Sequence, residues 1–221
     1  MTSLGYAGST VPLFVTGLGL LGLLVSPVAE MLIAKLLPRI GQLPSTRVRM
    51  TTALITGLLC AGFAFRFGAD PGLPAFVLLA VLGVQLARID VSLHLLPNPL
   101  VLSLLVSGLI FLFAAAIGGQ QWTSLLRAFA GAAILFVIYL VLAIISPRGM
   151  GMGDVKFAAP IGLYLGYLGW SQLLYGGLLG FILNGIVTLL AVRQNHSERA
   201  SEVPHGPSML IATAGVALFL A

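Results

Sequence analysis

The chain has 221 residues, of which 59% are hydrophobic and only 8% charged, with a formal net charge of +5 and a mean hydropathy of +1.09. A soluble domain carries about 25% charged residues, so a water-soluble fold is excluded and the lipid bilayer is the expected solvent. The net positive charge reads as an orientation signal, developed below, and no nucleic-acid footprint is expected from it.

Apolar runs long enough to cross a bilayer, roughly 17–25 residues, recur at about 11–36, 51–67, 74–90, 99–117, 125–146, 156–169, 171–192 and 206–221. Spanning segments must satisfy their backbone internally, and no run alternates with strand period, so all are expected to be helices. The expectation is an all-α polytopic membrane protein of about eight transmembrane helices, one domain over 1–221 with no separate soluble part.

Run 11–36 follows "MTSLGYAGSTVPLF", which has no basic residue ahead of the apolar stretch, so it reads as a retained helix and not a cleaved signal. Its Glu30 is expected to snorkel to the interface or pair with Lys35. Cys60 stands alone in the second run, so neither a disulfide nor a cysteine metal cluster is expected. His94, His196 and His205 are scattered without metal-ligand spacing, and no metal is expected. Asp70, in "GADPG", is a turn residue.

The third run ends in "ARIDVSLHLLPNPLVL". Pro97 and Pro99 break helix continuity there, and Asn98 suits a turn or an N-cap. His94 would share a face with Asp90 if the helix continued, and a proton relay would then be conceivable. Before the sixth run comes "GMGMGDVKF" (149–157). Gly149, Gly151 and Gly153 permit positive φ and close approach of an extended segment, next to Asp154 and Lys156. The sixth run is short, either tilted or partly re-entrant and continuous with the seventh through Gly169-Trp170-Ser171. Gly162-x-x-x-Gly166 and Gly176-x-x-x-Gly180 are small-residue packing motifs. In the polar loop "RQNHSERASEVPHGP" (193–207), Glu198 and Glu202 are solvated beside Arg193 and Arg199.

Basic residues near helix ends favour cytoplasmic loops. With the N-terminus outside, the cytoplasmic side receives Lys35, Arg39, Arg47, Arg49, Arg88, Arg148, Lys156, Arg193 and Arg199, and the outside only Arg66 and Arg127. That asymmetry predicts eight helices with both termini outside, and places Asp90 and Asp154 at cytoplasmic helix ends.

An ionisable group at membrane depth costs roughly 2.5–3.5 kcal/mol on insertion scales and marks function by default. Each aspartate could simply cap a helix end near water, Asp154 at the start of its helix where the dipole favours negative charge. Two carboxylates held together cannot both ionise cheaply. The ionised one can then take a proton from water while the protonated one polarises a peptide carbonyl. No Gly-x-Ser-x-Gly elbow, His-Glu-x-x-His run or reactive cysteine setting offers another hydrolytic apparatus. The same two aspartates could serve a proton- or ion-coupled transporter, although no internal repeat with matching broken helices is evident. A structural subunit of a secretion machine is a third reading.

The two motifs together resemble the prepilin peptidases, or type IV leader peptidases, among the GxGD intramembrane aspartic proteases. Gly151-Met152-Gly153-Asp154, with Lys156 and a small-residue helix following, matches the family's Gly-x-Gly-Asp motif. Asp90 with Leu96-Pro97-Asn98 matches its aspartate seven residues before a proline. "HGPSML" (205–210) looks like its Gly-Pro element before the last helix, so the likeness extends from helix 1 to there. Ile89 before Asp90 departs from the Tyr-Asp motif of the presenilin and signal-peptide-peptidase group.

The resemblance implies a catalytic dyad of Asp90 and Asp154, with Gly151, Gly153, Lys156, Pro97 and Asn98 in support. It implies type IV pilin or pseudopilin precursors as substrates, cut at the cytoplasmic face of a bacterial inner membrane. Many bacterial members carry a four-cysteine, zinc-binding insertion after helix 1; here that loop is "PRIGQLPSTRVR" (38–49), a short form. Proteolysis of this kind needs no cofactor. S-adenosylmethionine enters only if the family's N-methyltransferase activity is retained, which no residue here independently supports.

Overall fold

The computed structural model describes residues 10–38, 43–146, 150–194 and 204–221. Expectations placed on Arg39, Arg148, Gly149, His196, Glu198, Arg199 and Glu202 fall outside them. The described residues form eight helices: α1 (Thr10–Leu36), α2 (Thr46–Phe67), α3 (Leu73–Leu93), α4 (Asn98–Gly119), α5 (Trp122–Ile145), α6 (Met152–Leu168), α7 (Trp170–Gln194) and α8 (Gly206–Phe219). α1 to α5 and α7 are long and apolar enough to cross a membrane; α6 and α8 are shorter. This is an all-α, polytopic membrane architecture.

Burial sorts the helices. α3, α6 and α8 bury most of their length, with Leu79, Leu86 and Ile89, Phe157, Leu163 and Leu165, and Val216 and Ala217 inside. The outer faces of α1, α4, α5 and α7 present Leu24, Ile110, Ile144 and Leu178 to the surroundings. In water that surface would be prohibitive; against acyl chains it is neutral, and helix association then rests on close packing. The glycine motifs supply it. A side chain on Gly162 or Gly166 of α6 would collide with the α5 backbone at Gly131 and Arg127, so here the two helices touch main chain to main chain. Gly176 of α7 accommodates Leu165.

α6 and α7 are not one continuous helix. Extended Gly169 separates them, and the Leu165–Gly176 contact shows α7 folding back along α6. α2 begins five residues earlier than its apolar run, because Thr46, Arg47 and Arg49 continue the helix beyond the apolar segment.

Glu30 neither snorkels nor pairs with Lys35. It is 1% exposed, and its carboxylate accepts Arg49 Nε at 3.1 Å and Thr52 Oγ1 at 2.6 Å across the α1–α2 contact. Beside it, Gln85 Nε2 donates to Ser26 Oγ at 3.1 Å and Arg88 Nε to Gln85 Oε1 at 3.0 Å, which ties α3 to α1. The removal of Arg49 strands a buried charge, whereas replacing both partners by apolar groups need not. We expect Arg49→Met to lower stability by about 1–3 kcal/mol. Glu30→Met/Arg49→Met should recover part of the loss, read as thermal unfolding in detergent. An unaltered Arg49→Met transition would count against the pair.

Candidate active site

Asp90 sits in the last turn of α3 and Asp154 in the first turn of α6. These helices pack mainly on other neighbours; α8 contacts both, and the start of α4 lies against α6. The two aspartates therefore lie at the same end of the bundle, on either side of Leu96, which packs against Gly153 beside Asp154 and against Gly206, the partner of Asp90.

Asp154 lies at the N-terminus of its own helix and Asp90, from the end of α3, reaches the N-terminus of α8, where unpaired N–H groups and the helix dipole favour negative charge. Asp90 is 5% exposed, and its Oδ2 accepts the Gly206 N–H at the start of α8 at 2.9 Å. Asp154 is half-buried, and its Oδ2 accepts the Gly151 N–H at 3.3 Å, the carboxylate half of a capping box. The capping role considered from sequence is thus present for Asp154, at the same end of the bundle as Asp90.

The supporting residues have specific places. Gly153 packs against Leu96, where an added Cβ would lie 3.1 Å from the Leu96 Cβ. Lys156 Nζ donates to Asn98 Oδ1 at 3.0 Å, so the two motifs clip together, and the lysine's hydrogen bond goes to Asn98 and not to Asp154. Pro97, not Asn98, occupies the N-cap position of α4; Asn98 is its first helical residue. Neither motif glycine uses left-handed backbone: Gly151 is extended at φ −75° and ψ 147°, and Gly153 is helical. The positive φ that glycine permits is not used at either position.

His94 ends α3 instead of continuing it. It adopts φ 50° and ψ 41°, and its backbone N–H donates to the Asp90 carbonyl at 2.8 Å, while its side chain is exposed. Helix C-termini commonly close in this left-handed conformation, which favours glycine. The expected result for His94→Gly is retained activity, within about threefold of the parent, because glycine closes the helix equally well. A loss of a hundredfold would restore the proton relay considered from sequence.

Three further residues lie near the dyad: Gly206 and His205, read from sequence only as part of "HGPSML" with no role assigned, and Tyr139, which escapes sequence reading. Gly206 has no space for a side chain, since a Cβ would come 2.8 Å from Asp90 Oδ2. Tyr139 of α5 and His205 are both buried, with the tyrosine hydroxyl 2.9 Å from His205 Nε2. Among the described residues, no group of three His, Cys, Asp or Glu side chains could hold a metal ion.

Known proteins give this geometry its context. The prepilin leader peptidase/N-methyltransferases of Aeromonas hydrophila and Stutzerimonas stutzeri are 32% and 31% identical to the chain over 163 residues, 72% of the chain and 54% of each relative. That of Pseudomonas aeruginosa is 29% identical over 165 residues, 75% of the chain and 54% of the relative. The chain thus spans about half the length of the curated relatives it matches. No solved structure matches it. The profile described as the Type IV leader peptidase family matches residues 76–189, leaving α1, α2 and "HGPSML" outside but taking in both aspartates. The match covers more than half of the sequence and contains both halves of the carboxylate pair, so the chain belongs to the type IV leader peptidase family.

Proposed function

We propose that the chain is an intramembrane aspartic endopeptidase that removes the N-terminal leader of type IV pilin or pseudopilin precursors at the cytoplasmic face of a bacterial inner membrane. The observation that carries this reading is that the motifs of Asp90 and Asp154 pack together at one end of the bundle, through Leu96 on Gly153 and Lys156 on Asn98. Family membership speaks for peptidase chemistry over the transporter reading of the same pair.

In the proposed reaction one aspartate is ionised and its partner protonated. The ionised carboxylate takes a proton from water as the water oxygen bonds to the scissile carbonyl carbon. The protonated carboxyl gives its proton to the carbonyl oxygen, forming a tetrahedral adduct. Collapse of the adduct breaks the C–N bond as the carboxyl that took the water proton gives it to the nitrogen and a hydroxyl of the adduct returns its proton to the other carboxylate, leaving a leader carboxyl group and a new N-terminal amine. No covalent enzyme intermediate forms. The described basic residues at the aspartate end, Lys35, Arg47, Arg49, Arg88, Lys156 and Arg193, support a cytoplasmic orientation for that end, with Arg66 and Arg127 at the other.

Methyl transfer is not part of the proposal. Among the described carboxylates outside the dyad, Glu30 is engaged by Arg49 and Thr52, and Asp70 accepts the Gly72 N–H at 2.7 Å within its own turn. Neither residue independently supports a site for S-adenosylmethionine.

The test is co-expression with a pilin-like precursor and mass spectrometry of the membrane fraction. Leader removal dependent on this chain is expected; an intact precursor with a well-accumulated chain, across several pilin-like precursors, overturns the reading. The same spectrum reads whether the new amine carries a methyl group.

A further inference from the structure

The two aspartates ride on helices that are not each other's principal neighbours, so something must set their separation. One continuous route is visible. α6, with Asp154, is locked to α5 by main-chain contact at Gly131, Gly162 and Gly166. About two turns along α5, the Tyr139 hydroxyl holds His205 Nε2 at 2.9 Å, and the His205 ring packs against the stacked Tyr139 and Phe181 rings, with centroids 5.6 and 5.5 Å away. His205 immediately precedes Gly206, whose N–H reaches Asp90 Oδ2 at 2.9 Å.

We propose that the buried Tyr139–His205 pair is a positioning element for the aspartate site, fixing the start of α8 so that the Gly206 N–H meets Asp90 at its working distance from Asp154. His205 is the N-cap residue of α8, yet its side chain makes no capping bond. Its Nδ1 is buried without a partner among the described residues, so the tyrosine hydroxyl is the ring's one polar tie there. A neutral imidazole offers one donor and one acceptor, and leaving one of them unpaired inside the bundle is costly. The ring's placement is therefore dictated by Tyr139 and the aromatic contacts, and α8 follows the ring. The bond between Tyr139 and His205 thus links the helix carrying Asp154, through α5 and α8, to the carboxylate of Asp90.

The structural claim can be tested without turnover, because His205-Gly206 is the single His-Gly step in the sequence. Labelling with carbonyl-¹³C histidine and ¹⁵N glycine isolates one amide resonance, that of Gly206, in detergent-solubilised full chain. Asp90→Asn should displace its proton shift and so calibrate the bond. Tyr139→Phe keeps both aromatic rings and removes only the hydroxyl. It should move the same resonance in the same direction and speed its hydrogen exchange about tenfold. An unmoved resonance in Tyr139→Phe overturns the proposal.

The kinetic consequence rests on the peptidase reading. In precursor cleavage, Tyr139→Phe should lower kcat about tenfold with KM within twofold, since a displaced Asp90 affects the chemical step and not binding. His205→Gln, whose amide can meet the tyrosine hydroxyl, should retain more activity than His205→Phe. A change confined to KM, or no difference between the two histidine variants, also overturns the proposal. If the parent chain cleaves no precursor, the peptidase reading falls, and the Gly206 amide alone decides the positioning claim.

Discussion

Asp90→Asn and Asp154→Asn should each abolish leader removal while the chain accumulates normally in the membrane. Asparagine keeps the size of aspartate and an oxygen acceptor, so the Gly206 N–H at position 90 and the Gly151 N–H at position 154 retain their partners. The amide can neither take a proton from water nor give one to a carbonyl oxygen. Loss of one acid–base group typically costs 10²–10⁴-fold. Here the two groups act in one step, so each single variant should lie about that far below the parent. The double variant should be little worse, because groups that act as a unit are not additive. The measurement is the mass-spectrometric ratio of mature to precursor pilin, with membrane accumulation followed in parallel. If either single variant cleaves at the parental rate, the carboxylate pair is not the catalytic group, and the structural role of Asp154 as a helix cap would stand alone.

The helices and the identity of the two aspartates are legible in the sequence, and the reason is physical. A bilayer demands long apolar runs, so run length reads as helix length, and a carboxylate inside such a run is conspicuous because it is costly. All eight runs are helices, and both aspartates lie at the same end. What joins them is much less legible. The Gly206–Asp90 hydrogen bond spans 116 positions and uses a backbone donor, so the glycine of "HGPSML" is visible in the sequence but its partner is not. Tyr139 stands in a uniformly apolar run, where an aromatic residue looks like packing until His205 is placed beside it. For Glu30 the sequence offers only the interface or the nearer basic residue, Lys35, because pairing along one helix can be read from spacing. Arg49 reaches it only through the antiparallel contact of α1 with α2. The left-handed turn at His94 is similarly hidden, since histidine is not the residue that conformation favours.

Alanine substitutions at the three glycines around the dyad should fall in a definite order of severity, with Gly206→Ala the worst, Gly153→Ala intermediate and Gly151→Ala nearly neutral. At Gly206 the new methyl would lie 2.8 Å from Asp90 Oδ2, so the carboxylate must leave the N–H that holds it or α8 must withdraw. A reacting group displaced by about 1 Å can cost a hundredfold, and that is the expected loss. At Gly153 the methyl meets the Leu96 Cβ at 3.1 Å, a neighbour that can yield by a few tenths of an ångström. A loss of about fivefold to tenfold follows from a small displacement of α6 against the α3–α4 connection. At Gly151 the methyl would sit 3.4 Å from Asp154 Oδ2, an ordinary contact, and φ −75° with ψ 147° suits any residue. The order also separates two roles for the Gly-x-Gly-Asp glycines. If they serve internal packing, severity follows these contacts and Gly151→Ala cleaves at nearly the parental rate. If Gly151 instead makes room for the backbone of an extended substrate, Gly151→Ala should raise KM sharply although nothing within the bundle obstructs its methyl. Initial rates across a range of precursor concentrations distinguish the outcomes, because a clash inside the site lowers kcat and a clash with substrate raises KM.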